Sequence, residues 1–161
     1  MRFALTLSLS FFFGQMLFAE EWPQWMGPNR DAVWSEKGII RKFPAEGLKV
    51  LWKSPVAGGF SGPSVADGKV FVPDFVVKKG ESTNDFNKRD ERSGMERIHC
   101  LDSISGKTIW KFEYPVVYKI SYASGPRVTP TYHAGKVYCL GAEGHFYCCL
   151  LYTSPSPRDK R

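Results

Sequence analysis

The sequence predicts an all-β chain made of short antiparallel strands in recurring units. Aromatic residues form 15% of the 161 positions and are mixed with 15 Gly and 11 Pro, the composition of many strands joined by tight turns. No stretch after residue 20 sustains an apolar face at helical spacing over a helical length. A hairpin signal also recurs, with Gly68-Lys69-Val70 met again as Gly135-Lys136-Val137.

The first segment, "MRFALTLSLSFFFGQMLFA" (residues 1–19), places Arg2 before an uncharged apolar stretch and ends on Ala19 ahead of Glu20 and Glu21. This is the pattern of a secretory signal peptide cleaved after Ala19. Export to a periplasm or to the outside is therefore expected, with no membrane span left after cleavage. Leu17 is bulkier than the usual residue near a cleavage edge, so an uncleaved anchor stays open as an alternative.

Residues 20–47 form a lead-in in which Trp22, Trp25 and Trp34 sit among Pro, Gly and Asn, so irregular or extended backbone is expected. "LKVLWKSPV" (Leu48–Val56) has the apolar, β-branched character of a strand. Ser64–Ala66 and Lys69–Val72 flank Asp67-Gly68, one of the strongest short-range hairpin signals. Residues 78–97 are polar and nearly free of apolar side chains, which predicts a solvated insertion. Its Asp85, Asn87 and Asp90 lack the Gly and the closing Glu of an EF-hand loop. Ile98–Leu101 and Thr108–Phe112 then read as strands around "DSISGK". There Asp102 can accept backbone N–H bonds and Gly106 can take a positive φ.

Two pairings across the chain suggest an internal repeat. The hairpin at residues 61–72 matches the one at 129–140, and Trp52 of "KVLWK" matches Trp110 of "KTIWKF". Subtracting the polar insertion brings the offsets nearer the roughly 40–50 residues of a four-stranded propeller blade. A single such unit cannot bury its faces alone, so several must stack. The expected architecture is a partial β-propeller: about two blades, with residues 48–148 as the repeat region.

"HCLDSISGKTIWKF" (residues 99–112) resembles the tryptophan-docking repeat of the PQQ-binding-like β-propeller family, the quinoprotein alcohol dehydrogenase-like superfamily. "SGPRVTPTYHAGKVYCLGAEGHFYC" resembles the hairpin and strand that follow in that repeat, and "EWPQWMGPNRDAV" resembles the lead-in of a secreted subfamily. Met26 stands where that lead-in has Arg, and Ala32 where it has Gly, so no role for the arginine carries over. The resemblance spans residues 22–148 and implies a ring of about eight blades, of which this chain would be an N-terminal fragment. The residues that carry the repeat are Trp52, Cys100, Asp102, Gly106, Lys107, Trp110, Gly135 and Cys148.

Four cysteines in an exported chain invite a disulfide framework, yet Cys100, Cys139 and Cys148 each sit in a strand as a small apolar residue would. The adjacent pair Cys148-Cys149 resembles the vicinal disulfide of some quinoprotein dehydrogenases. The repeat predicts Asp, Gly and Trp after Cys148, whereas the chain continues "CLLYTSPSPRDKR", which resembles a translated sequencing-library adapter. Residues 149–161 are thus expected to be a read-through tail.

The formal charge of +6 is spread between Arg2, the basic tail and a body with no basic cluster, which argues against nucleic acid as a partner. Two functions remain: an exported binding or scaffold propeller that meets a protein or polymer, and a fragment of a PQQ-dependent alcohol or sugar dehydrogenase. The family's catalytic Asp and calcium ligands would lie in blades beyond this sequence. No catalytic, PQQ-binding or calcium-binding residue is assigned, and PQQ with calcium is an expectation for a longer protein only. Arg127, Glu143 and His145 are candidate rim residues, and His99 and His133 are expected to be structural. An incomplete stack leaves apolar faces and strand edges open, so a fragment expressed alone is expected to aggregate.

Overall fold

The computed structural model describes residues 20–151 apart from Asn84. Residues 1–19 and 152–161 lie outside that span, and with them the segment expected to be a signal peptide and most of the expected tail. The described chain is all-β, with seven strands and no helix. Strands β1 (Ser64–Ala66), β2 (Lys69–Lys79), β3 (Asp90–Asp102) and β4 (Thr108–Ile120) form one antiparallel sheet in sequence order. Strands β5 (Thr131–His133), β6 (Lys136–Leu140) and β7 (Phe146–Leu150) form a second, three-stranded sheet. Neither sheet closes on itself. No helix among the described residues is long and apolar enough to cross a membrane.

Strand β4 shows why these segments are strands. Along "TIWKFEYPVVYKI", Trp110, Tyr114, Val116 and Tyr118 are buried while Lys111, Glu113, Pro115, Val117 and Lys119 are exposed, a clean period of two. Pro115 is tolerated because β4 is an edge strand and its missing N–H leaves no ladder bond unmade. The turn between β1 and β2 places Asp67 and Gly68 both at positive φ, and Ala134 and Gly135 repeat this between β5 and β6.

Two segments differ from the sequence reading. Residues 78–97 are not one solvated insertion: β2 runs to Lys79, β3 starts at Asp90, and only residues 80–89 form the loop. The polar residues of β3 alternate in burial, with Gly94 and Glu96 inward, so the period of the strand outweighs its polarity. Leu48–Val56 forms no strand, and no described strand pairs with it. Leu51 there is 81% exposed.

The two sheets stack face to face. Phe71, Ile98, Cys100 and Trp110 of the first meet Val137, Cys139 and Cys149 of the second in one core. Phe75, Tyr114, Val116 and Tyr118 continue it along the longer strands. The lead-in bridges the two edges: Trp22 pairs with Val65 of β1, and the Pro23 carbonyl accepts from the Tyr132 N–H of β5.

Gly94 makes room for this packing. A Cβ at that position would lie 2.7 Å from Cε2 and 2.9 Å from Cζ of Phe75, and would also strike the Val76 carbonyl. Gly94→Ala is therefore expected to cost about 2 kcal/mol by overpacking, read as a lower urea midpoint; an unchanged midpoint would show that both the Val76 backbone and the Phe75 ring give way freely.

Candidate functional site

The chemistry-bearing residues that the fold brings together are two buried carboxyl groups on opposite faces of the first sheet. Asp74 on β2 is 1% exposed, and Glu96 on β3 is 2% exposed. Their neighbours in the ladder, Arg97 and Phe75, alternate faces, so one register places a carboxyl on each side.

Asp74 is held by Arg97, which donates from both Nε and Nη2, and by the Ala57 N–H at 2.6 Å. His99 Nε2 lies 3.2 Å from Asp74 Oδ2, close enough for an ion pair when the imidazole is protonated, though its alignment makes no hydrogen bond. Burial pushes the Asp74 pKa up. Arg97 foremost, then His99 and the Ala57 N–H, overcome that and hold it well below the usual carboxylate range. Together with the Gly58–Phe75 bridge, this group pins an otherwise unpaired segment across the sheet.

Glu96 faces the second sheet. Tyr114 and Tyr118 donate their hydroxyls to its two oxygens, and the Ala142 N–H approaches Oε1 at 3.3 Å. Burial first, and the hydrogen bonds to Glu96 second, push both tyrosine pKa values far up, which keeps the hydroxyls as donors. The space beside Glu96 is about 10 Å³, too little for a substrate. Glu96 thus joins β3 and β4 to the β6–β7 turn as a hydrogen-bonded strut.

The repeat residues fall in two matched places. Trp52 Nε1 donates to the Ser103 carbonyl at 3.0 Å, and its ring lies against Gly106, where φ is +69° and a Cβ would collide with the indole. Trp110 Nε1 donates to the Leu151 carbonyl, also at 3.0 Å. The Ser103 N–H bonds to the Gly68 carbonyl, and the Leu151 N–H to the Gly135 carbonyl. Asp102 Oδ1 accepts from the Ser105 N–H and hydroxyl, and the Lys107 carbonyl accepts from the Asp102 N–H. Phe71 pairs with Cys100 in one sheet as Tyr138 pairs with Cys148 in the other, so those two cysteines share a register position.

Cys139 does not share it, being on the middle strand and opposite Tyr147. No disulfide joins the four cysteines. Burial pushes the Cys100 thiol up to about 12, and a hydrogen bond with Cys149 followed by burial raises Cys139, so these are inert core thiols. Cys149 is fully buried and Leu151 nearly so, which places the expected boundary at 148/149 inside β7.

Arg127 is exposed and lies between the rings of Phe60 and Tyr122, at 4.4 and 4.7 Å. Glu143 and His133 are exposed, and so is His145, whose ring is 5.2 Å from that of Tyr114. His145 also borders an open cleft of about 530 Å³ with Lys78, Ser93 and Met95. Sequence reasoning passed over Asp74, Glu96, Arg97, Tyr114 and Tyr118. The alternation Glu96-x-Ile98-x-Cys100, continued as Tyr114-x-Val116-x-Tyr118 on the next strand, was the available signal. Comparison with protein-family models, curated proteins and solved structures gives no match.

Asp74→Asn leaves Arg97 without its counter-charge in a largely buried site, and a loss of about 3 kcal/mol is expected at neutral pH. The Asp74 pKa is lower in the folded chain, so its contribution is complete above about pH 4 and disappears as pH falls further. The gap between wild type and variant in denaturant midpoint should therefore be present at pH 5 and narrow below about pH 4. A gap independent of pH would remove the charge from the explanation.

Proposed function

We propose that this chain is a scaffold unit of the β-propeller kind, a stack of four-stranded blades that presents its loops to a protein or polymer partner. One observation carries the reading: the same indole-to-carbonyl dock occurs twice, at equivalent places in two sheets with equivalent registers. A repeated dock fixes the spacing between successive sheets, which is what a stacked array requires. The loops at the end of the first sheet opposite its docked turn, residues 80–89 and 121–130, are the surfaces such a scaffold would offer. Export through a cleaved signal peptide fits this role.

The quinoprotein reading would need a calcium ion and a quinone held by carboxylate and amide side chains. Among the described residues, no three His, Cys, Asp or Glu side chains converge on a metal position. The two buried carboxyl groups are already engaged, Asp74 by Arg97 and Ala57, Glu96 by Tyr114 and Tyr118. The described residues do not fit the group.

Trp52→Phe and Trp110→Phe keep a ring and delete the N–H donor. Each should lower stability by about 1 kcal/mol, and by matching amounts, measured as urea midpoints. A loss at only one of the two positions would break the repeat reading. Dye reduction by the chain that depends on added PQQ and calcium, with an alcohol or aldose as donor, would replace the scaffold by the dehydrogenase.

A further inference from the structure

The lead-in carries a segment strung between two fixed points. At one end the Ser35 N–H donates to Glu20 Oε2; at the other, Trp52 donates to the Ser103 carbonyl with its ring against Gly106. From residue 37 to residue 51 every residue is exposed. Among the described residues, none of these forms a strand or a hydrogen bond to either sheet. Inside the segment the Gly47 N–H bonds to the Pro44 carbonyl and closes a turn.

Its composition is not that of a solvated loop. Ile39, Ile40, Phe43, Leu48, Val50 and Leu51 are all exposed, Phe43 at 66% and Leu51 at 81%. Such a concentration of apolar side chains in water marks a surface that meets something. Lys37, Arg41, Lys42, Lys49 and Lys53 stand among them against Glu36 and Glu46. Residues 36–53 thus hold a net +3 of the chain's formal +6, interleaved with apolar residues rather than gathered in a run.

Nucleic acid would take the cations and leave Ile39, Ile40 and Leu51 in water. A lipid surface takes both kinds of side chain. Anionic phosphates meet the cations, and the apolar groups enter the boundary beneath them. The stems of Lys and Arg follow the apolar residues down while their charged ends stay with the phosphates. The unpaired backbone confines the segment to the headgroup layer, where water still reaches its N–H and C=O groups.

We infer that residues 36–53 dock this chain on an anionic lipid surface. Ile39, Ile40, Phe43 and Leu51 are the apolar contacts, and Arg41, Lys42 and Lys49 are the phosphate contacts. The Trp52 dock ties the segment to the first sheet, so the body is held at the surface without entering it. The inference does not rest on the repeat reading.

Flotation of the chain begun at Glu20 tests it. That chain keeps every described residue and lacks the apolar residues 1–19, which would enter lipid by themselves. It should float with phosphatidylglycerol vesicles, stay down with phosphatidylcholine vesicles, and be released by about 1 M salt. Arg41→Gln combined with Lys42→Gln should weaken binding about twenty-fivefold, at about fivefold for each charge removed. Phe43→Ser should weaken it about tenfold. All three side chains are exposed, so urea midpoints should stay at the wild-type value and the losses report contact rather than folding. No flotation, equal flotation with both lipids, or variants that bind as tightly as wild type would each overturn the proposal. A chain that does not float but self-associates through these same residues would give the surface to a protein partner instead.

Discussion

Trp110 sets the condition that the rest of the structure meets. Its ring belongs to the core between the sheets, with its centroid 6.2 Å from that of Phe71, and its N–H lies buried at the Leu151 end of that core. A buried indole N–H needs an acceptor, and the one present is the backbone of Leu151. The acceptor is in place only if β7 runs past Cys149, and β7 keeps its line only if β6 holds it through the Val137–Cys149 register. Aromatic contacts then fill the gap on either side, Phe71 against Tyr132 and Tyr114 against Tyr147. The spacing of the sheets follows from one ring and one carbonyl.

Within that frame the two buried carboxyl groups hold what the ladders do not. Asp74 catches the Ala57 N–H, and with it a segment that has only one bridge to the sheet. Glu96 catches the Ala142 N–H at the turn of the second sheet. Each sits inside because enough donors converge on it to replace water: a guanidinium and an amide in one case, two phenols and an amide in the other. The hydrogen bonds fix where loops sit; the apolar faces supply the bulk of the association between sheets. Gly141 shows how close this fit is, since a Cβ there would meet both Glu96 and the Tyr114 hydroxyl.

What was legible in the sequence divides along the same line. Asp67-Gly68 and the turn through Asp102 and Gly106 are set by local backbone demands, so the residues announce them. The alternation that makes β4 a strand is equally local, and it continues through Pro115 because the edge forgives a missing N–H. Residues 90–97 were opaque for the opposite reason. Glu96 and Arg97 look solvated until Tyr114, Tyr118 and Asp74 arrive from other strands, and nothing within the segment records those partners. Leu48–Val56 has the composition of a strand without the neighbour that would make it one. The repeat was visible through Trp52 and Trp110, but Cys100 and Cys139, each followed by Leu, are not structural equivalents. Both are buried, yet they lie on different strands and on opposite sides of the same core.

The two docks also differ in what they read. Trp52 rests on Gly106, where a side chain would block the ring, so that contact selects a particular residue. Trp110 takes its hydrogen bond from a backbone carbonyl, which any residue at position 151 supplies. Position 149 asks only for a side chain small and apolar enough to be fully buried, and cysteine meets that. The departure of the sequence from the repeat after Cys148 is therefore compatible with a complete β7. A strand needs alternation and backbone groups for its ladder, whereas the turn that follows needs a specific Asp and Gly. Loss of the pattern after Cys148 leaves the requirements of the strand met. That is why "CCLL" packs as part of the fold although it no longer reads as part of the repeat.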